Sequence, residues 1–249
     1  MKKPRVAVFD FACCEGCQLQ IVNLEEELLD LMGAFDVVEW REAMSEQSHD
    51  YDIAIVEGSV TRPEDEGRLE LIRSRAKVII ALGACATIGG VNKLKNNFDL
   101  EEVKKCVYGH DAGMEHLETG LTKAIDEVVQ VDYKIHGCPI DRKEFTYVLR
   151  CLLLGKKPEI PDYPVCVECK KKENMCLWEV EQICLGPIIR AGCGARCPSS
   201  GFRCFGCRGY IEGPNIYAAR DVMDKHGLTV EQLKSKLVLF GSKQRPTDE

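Results

Sequence analysis

Fifteen cysteines in 249 residues are where this chain could do chemistry, and their spacing sorts most of them into groups. Cys14 and Cys17 stand in Asp10-Phe11-Ala12-Cys13-Cys14-Glu15-Gly16-Cys17, Cys85 in Leu82-Gly83-Ala84-Cys85, and Cys138 in His136-Gly137-Cys138-Pro139. Each motif follows a short strand-like run. Ligands of an open parallel sheet bind at the carboxyl ends of its strands, near the switch in strand order, so residues far apart in sequence can converge there. Four thiolates at one spot specify a tetrahedral sulfur site, of zinc or of an iron–sulfur cluster. Gly16, Gly83 and Gly137 would let backbone approach the inorganic core and donate N–H groups to it. Taken singly, Cys85 or Cys138 reads equally well as a small buried hydrophobe. Four at matching strand ends favour a site.

Eight more cysteines run Cys166-x2-Cys169-x6-Cys176-x7-Cys184, then Cys193-x3-Cys197-x6-Cys204-x2-Cys207. Four plus four suits two closed sulfur sites. A zinc ribbon would pair the Cys166/Cys169 knuckle with the Cys204/Cys207 knuckle, leaving Cys176, Cys184, Cys193 and Cys197 for a second site or none. Two cubane clusters use all eight without remainder. The Cys197-Pro198 step, repeated at Cys138-Pro139, is similar to the Cys-Pro ending of bacterial ferredoxin motifs.

The rest of the composition narrows the class. A chain 45% hydrophobic and 29% charged is long enough for one sizeable core, or for a core with a second small domain. Its net charge of −7, without a dense Lys/Arg run, leaves no electrostatic footprint for nucleic acid. No stretch approaches the roughly 20 apolar residues of a membrane helix, and Met1-Lys2-Lys3-Pro4 gives neither a signal peptide nor a twin-arginine leader. An odd number of thiols in a chain this size reads as metal ligands in a reducing cytoplasm rather than as disulfides.

The elements that must position these residues change character along the chain. Residues 1–160 read as an α/β domain, with strands at Arg5–Phe9, Asp36–Trp40, Ile53–Glu57, Val78–Leu82 and Tyr133–His136. Apolar periodicity gives helices at Leu19–Met32, Glu64–Arg73, Leu121–Val129 and Phe145–Leu154. Asn92 to Gly120 reads as a long loop with a short helix around Leu100–Lys105. Beyond Gly155-Lys156-Lys157-Pro158 the chain is punctuated by Pro and Gly every few residues. Residues 161–249 therefore read as a cysteine-rich, loop-rich domain held by metal–thiolate bonds in place of a large core. Ile216–Phe240 regains a helical pattern, and the polar end from Gly241 to Glu249 is expected to fray.

Together these motifs resemble the small subunit of cytosolic nickel–iron hydrogenases. The carriers are Cys14-Glu15-Gly16-Cys17, Val56-Glu57-Gly58-Ser59, Gly83-Ala84-Cys85-Ala86, Gly137-Cys138-Pro139 and the run from Cys184-Leu185-Gly186-Pro187 through Ala191-Gly192-Cys193-Gly194-Ala195-Arg196-Cys197-Pro198 to Cys204-Phe205-Gly206-Cys207-Arg208-Gly209. The nearest likeness is to the delta subunit of soluble sulfhydrogenases, which link hydrogen to a nicotinamide cofactor. The methyl-viologen-reducing and F420-reducing hydrogenases of methanogens share nearly the same C-terminal run and stand as the alternative.

The resemblance implies an electron relay with three 4Fe-4S clusters. A flavodoxin-like half would hold the proximal cluster on Cys14, Cys17, Cys85 and Cys138, facing the nickel–iron site of a separate large subunit. Cys193, Cys197, Cys204 and Cys207 would hold the medial cluster, and Cys166, Cys169, Cys176 and Cys184 the distal one. Periplasmic relatives have a histidine where this chain has Cys166 and a proline where it has Cys197, so both C-terminal clusters are expected to be all-cysteine. Oxygen-tolerant relatives carry extra cysteines at the places of Gly16 and Gly90, so a standard proximal cluster is expected. Flavin and nicotinamide would sit on diaphorase-type partner subunits.

Cys13, Cys106 and Cys151 are left over. Cys151 lies in an apolar run and reads as packing. The tandem Cys13-Cys14 is also similar to the quinone-reducing subunit of respiratory complex I, but that family lacks the eight C-terminal cysteines. Glu57, an acid at a strand end, reads either as a capping carboxylate or, by the resemblance, as part of a proton path to the nickel site. His136 and the other histidines show no ligand spacing. Two rival classes are a zinc-stabilised interaction module and a quinone-reductase subunit.

Overall fold

The fold is described from a computed structural model, in which residues 3–109, 118–212, 225–227 and 240 are described. Contacts divide the chain into two compact units, Met1–Arg142 and Lys143–Glu249.

The first unit is built on a five-stranded sheet of β1 (Arg5–Asp10), β2 (Asp36–Trp40), β3 (Ile53–Glu57), β4 (Val78–Leu82) and β5 (Tyr133–Ile135). The order is β2-β1-β3-β4-β5 and every neighbouring pair is parallel. This is the flavodoxin-like arrangement, whose switch point lies between β1 and β3. All five residues of β3 are buried, as a central strand covered on both faces requires. Burying each of its Ile and Val side chains contributes about 1.5–3 kcal/mol.

Register aligns the carboxyl ends: Asp10 pairs with Glu57, Glu57 with Leu82, and Leu82 with Ile135. One row of the sheet therefore launches the segments carrying Cys14 and Cys17, Cys85, and Cys138.

Among the described residues the helices accompanying the sheet in this unit are α1 (Gly16–Val22), α2 (Glu26–Ala34), α3 (Pro63–Arg75), α4 (Gly83–Ile88) and α5 (Leu100–Tyr108). The five expected strands are all present, within a residue at their ends. The helix expected over Leu19–Met32 is instead two, broken where Glu25 takes a positive φ of 55°. The break resets the buried face, so Ile21, Leu24 and Leu31 are buried while Leu19 and Leu29 are exposed.

The helix expected over Leu121–Val129 is absent, because its backbone bonds elsewhere. Lys123 and Val60 exchange both backbone hydrogen bonds, at 2.9 and 3.0 Å, and Thr122 N–H donates to Asn96 Oδ1 at 2.8 Å. Only a 3-10 turn, Ile125–Glu127, follows. The short helix in the long loop is present as α5, with Asp99 Oδ1 accepting from Glu102 N–H at 3.0 Å. A 3-10 turn, Val91–Asn97, precedes it.

The second unit contains α6 (Arg142–Leu153, whose first residue belongs to the first unit), α7 (Val165–Lys171), a 3-10 turn Leu177–Val180 and α8 (Arg196–Ser199). Contrary to the expectation of little core, it has a hydrophobic cluster of its own. Val165, Leu177, Trp178, Ile183, Leu185, Ile188, Ile189 and Ala195 pack with Cys184 and Cys204. The sequence pattern hides this core because its members come from turns and short bridges, such as Ile189 with Tyr210, rather than from one periodic element. The helical pattern expected at Ile216–Phe240 lies almost wholly outside the described residues.

Candidate metal centres

The first centre is assembled by loops leaving the aligned strand ends. After β1, Ala12 and Ser59 exchange backbone hydrogen bonds at 3.1 and 3.0 Å, and Asn92 Nδ2 donates to Ala12 O at 2.7 Å and to Ser59 Oγ at 2.9 Å. These bonds fix the turn into Cys13 and Cys14. The chain then enters α1 at Gly16, placing Cys17 in the first turn.

The N-terminus of α1 has no side-chain cap of its own. The cap comes instead from the end of β3: Cys17 N–H donates to Glu57 Oε1 at 3.1 Å and Gln18 N–H to Glu57 Oε2 at 3.0 Å. Glu57 is 2% exposed. Its carboxyl is raised above the ordinary value of 4.5 by burial, against the lowering effect of the Cys17 and Gln18 N–H groups. Of its two readings, the capping geometry is the one on view.

Cys85 lies in α4, a helix too short to announce itself by periodicity, whose start is fixed by Ala84 N–H donating to Gly137 O at 2.7 Å. That bond joins the Cys85 and Cys138 segments. Gly83 has φ +82°, and a Cβ there would collide with Cys17 Sγ, so the glycine is what lets the β4 turn lie against that sulfur. The four thiols share one electrostatic neighbourhood. Cys85 is pushed up to about 12 by burial first and then by Cys138, Cys14 and Glu57. Cys17 is raised by burial first, then by Glu57, with Cys138 adding to it. A Cβ at Gly16 would lie 3.3 Å from Cys14 Sγ and one at Gly90 2.8 Å from Cys85 Sγ. Both glycines thus adjoin the set.

In the second unit, α7 presents Cys166 and Cys169, and the following turns bring Cys176 and Cys184 back beside them. All four, with Lys170, Asn174, Met175 and Gly186, line one cavity. Cys166 is pushed up to about 12 by burial first, then by Cys184, Cys169 and Cys176. Asn174 Nδ2 donates to Cys169 Sγ at 3.6 Å.

Cys193, Cys197, Cys204 and Cys207 form the third neighbourhood. Cys204 is raised by burial first and by Cys184, Cys207 and Cys193; Cys197 is raised by burial first and then by Cys193. Among the described residues no three His, Cys, Asp or Glu groups stand close enough to share a single metal ion. What links the thiols of each set is their mutual electrostatic effect, with Cys204 also raised by Cys184 of the second set. Four thiols around a common space are the donor chemistry of an iron–sulfur cluster, and the cavity on α7 is lined by such a set.

Three features escape the sequence pattern. Glu168, between Cys166 and Cys169, reaches to the loop around Cys193: Gly192 N–H donates to its Oε1 at 3.0 Å and Ala195 N–H to its Oε2 at 3.1 Å. Cys204 N–H donates to Cys184 Sγ at 3.2 Å. Arg208 and Glu144 form a buried ion pair. A charged residue beside a cysteine motif signals Glu168 and Arg208, but nothing in the pattern of α6 marks Glu144. Of the leftover cysteines, Cys151 is buried on α6 and Cys106 exposed on α5. Cys13 is half-buried beside the first set, its thiol pushed up to about 12 by burial first and then by Glu57.

Comparison with known proteins agrees with this architecture. Residues 14–152 match the family of the NADH ubiquinone oxidoreductase 20 Kd subunit. The chain is 37% identical to sulfhydrogenase 2 subunit delta of Pyrococcus furiosus, over 95% of this chain and 98% of that one. It is 32% identical to a vhu subunit of the F420-non-reducing hydrogenase of Methanocaldococcus jannaschii, over 95% of this chain and 93% of that one. A crystal structure of an NAD+-reducing nickel–iron hydrogenase in its H2-reduced state contains a chain that superposes with a TM-score of 0.57 at 28% identity, covering 64% of this chain and 96% of that one. With the sheet order, the cysteine sets and these relatives in agreement, the chain belongs to the family of nickel–iron hydrogenase small subunits, the electron-transfer subunits of oxidoreductases acting on H2.

Proposed function

We propose that the twelve cysteines hold three 4Fe-4S clusters, and that the chain relays electrons from the nickel–iron site of a large subunit to a flavin- or iron–sulfur-bearing partner of the diaphorase type. The observation that carries this reading is that the aligned ends of β1, β4 and β5 carry Cys14, Cys17, Cys85 and Cys138 while Cys166, Cys169, Cys176 and Cys184 line one cavity. When bound, the clusters supply one-electron carriers in series. Cys14, Cys17, Cys85 and Cys138 hold the proximal one, Cys193, Cys197, Cys204 and Cys207 the medial, and Cys166, Cys169, Cys176 and Cys184 the distal. Cys17, Cys184 and Cys204 are buried from water, and N–H groups such as that of Cys204 stabilise thiolate charge. Glu57, with its raised carboxyl against α1, is positioned to hold a proton beside the proximal set.

The relatives support pairing with a hydrogenase large subunit, and the first unit would present the proximal set to it. Domain limits of 1–160 and 161–249 for the flavodoxin-like and cluster-bearing parts follow the cysteine distribution. The likeness to a sulfhydrogenase delta subunit favours a nicotinamide as final acceptor, NADP or NAD. The likeness to a subunit of an F420-non-reducing hydrogenase favours a second reading, a disulfide-linked or methyl-viologen-reducing complex. No helix among the described residues is long and apolar enough to cross a membrane, and we place the protein in the cytoplasm on the strength of its thiol content.

The test is purification of the native complex under anaerobic conditions. The expected result is 3 × 4 = 12 irons with matching acid-labile sulfide on this chain, nickel on a co-purifying large subunit, and flavin on another. Tightly bound zinc in either C-terminal set, or a free monomer with full activity, overturns the reading.

A further inference from the structure

Arg208 follows Cys207 directly and is the largest fully buried side chain among the described residues, 1% exposed. Its guanidinium meets Glu144 in a two-point fork: Nη1 donates to Oε2 at 2.8 Å and Nη2 to Oε1 at 2.7 Å. Nε donates to Ala191 O at 2.7 Å. Ala191 and Gly192 lead into Cys193. Gly192 has φ +111°, and a Cβ there would overlap the guanidinium, 2.9 Å from Cζ and 3.1 Å from Glu144 Oε1. The pair thus adjoins Cys207 along the chain and lies against the backbone that delivers Cys193.

Stability alone does not account for this arrangement. Burying two charges forfeits so much hydration that apolar residues of the same volume often hold a fold as well. What the fork achieves is a fixed charge at a set place in a low-dielectric interior, where it acts with little screening. The guanidinium keeps that charge: burial opposes it, but the Glu144 bonds and the sulfurs of Cys193 and Cys207 raise its affinity for the proton.

We propose that the Glu144–Arg208 pair sets the reduction potential of the medial cluster, Arg208 favouring its reduced form and Glu144 tempering that field while holding the guanidinium in place. This rests on reading Cys193, Cys197, Cys204 and Cys207 as the ligands of one cluster. Neither residue touches a reacting atom, so both are positioning residues. A cation beside a cluster stabilises the electron-rich state, so losing it lowers the potential; neutralising Glu144 leaves the cation unopposed and raises it.

The experiment is an EPR-monitored redox titration of the full chain, reconstituted anaerobically with iron and sulfide. The component that disappears from the reduced spectrum in Cys197→Pro marks the medial cluster; if none does, the ligand reading fails and the pair has no such role. With the component marked, Glu144→Gln is expected to raise its reduced-to-oxidised ratio at fixed potential at least tenfold, about 59 mV for one electron. Arg208→Gln is expected to lower it at least tenfold, and the double variant to fall between the singles. A purely structural pair would move both singles the same way or neither, and either result overturns the proposal. Should Arg208→Gln fail to load, Arg208→Lys keeps the charge without the fork. It is expected to load and to stay within threefold of the native ratio, and a tenfold fall in Arg208→Lys also overturns the proposal.

Discussion

The backbone N–H of Cys204 donates to the sulfur of Cys184 at 3.2 Å. One residue belongs to the last four cysteines and the other to the four before them, so these two sulfur sets share a direct hydrogen bond. Cys184 is raised chiefly by burial, with the N–H groups of Cys204 and Gly186 lowering it. A change at either residue therefore reaches both sets.

Cys197→Pro should leave three thiolates in the medial set. A cubane lacking one thiolate holds that corner iron weakly, so a three-iron cluster with a raised potential is expected. Its oxidised form should be visible by EPR. Retention of all irons with an unchanged oxidised spectrum would show that Cys197 is not a ligand.

Gly83→Ala should displace Cys17 Sγ, because its Cβ collides with that sulfur and because φ +82° is strained for any L side chain. Loss of four irons is expected, with the C-terminal sets still loaded. Gly67→Ala is the control: its Cβ meets nothing within 4 Å, and it sits inside α3. That change should stabilise the chain by about 1 kcal/mol, read from urea unfolding. Equal iron retention in the two variants would contradict the steric argument.

Cluster retention should weaken as pH falls. Cys85 and Cys166 are each pushed up to about 12 from 9.0, so at neutral pH their metal-free thiols are protonated. Iron binds the thiolate, and below the raised value the thiolate fraction grows roughly tenfold per pH unit for each such ligand. Protons therefore compete with iron more strongly at lower pH. Stripping by a chelator should be faster at pH ~6.5 than at pH ~8.5. The reverse order would count against buried thiols as the ligands.

Glu168→Ala should leave the N–H groups of Gly192 and Ala195 without their acceptor. Each costs about 1–3 kcal/mol if it stays buried. Poor loading of the medial set is expected, although Glu168 lies among the distal cysteines. Glu168→Gln keeps one acceptor oxygen and should restore part of the iron, as counted by metal analysis. Full loading of the alanine variant would remove the clamp from consideration.

Much of the first unit is legible in the sequence because parallel strands covered on both faces are continuous apolar runs. Ile53 to Val56 and Val78 to Leu82 are rich in β-branched residues and too short for a buried helix. The break at Glu25 and the loss of helix at Leu121–Val129 are not legible, since both depend on partners distant in the chain: Asn96 for Thr122, Val60 for Lys123. The cysteine sets declare themselves by residue type and spacing. Their supports do not. Glu57 shows as an acid at a strand end, but its grip on Cys17 N–H spans 40 residues, and Glu144 meets Arg208 across 64.

The Glu168 clamp also bears on how the protein is made. Its carboxylate leaves the ribosome 24 residues before Gly192 and 27 before Ala195, the groups that satisfy it. Cys184 likewise emerges 20 residues before the Cys204 N–H that donates to it. A nascent chain ending near Cys184 would hold four sulfurs without the N–H groups of Gly192, Ala195 and Cys204. The three hydrogen bonds of this segment thus cannot form until the chain has been made through at least Cys204.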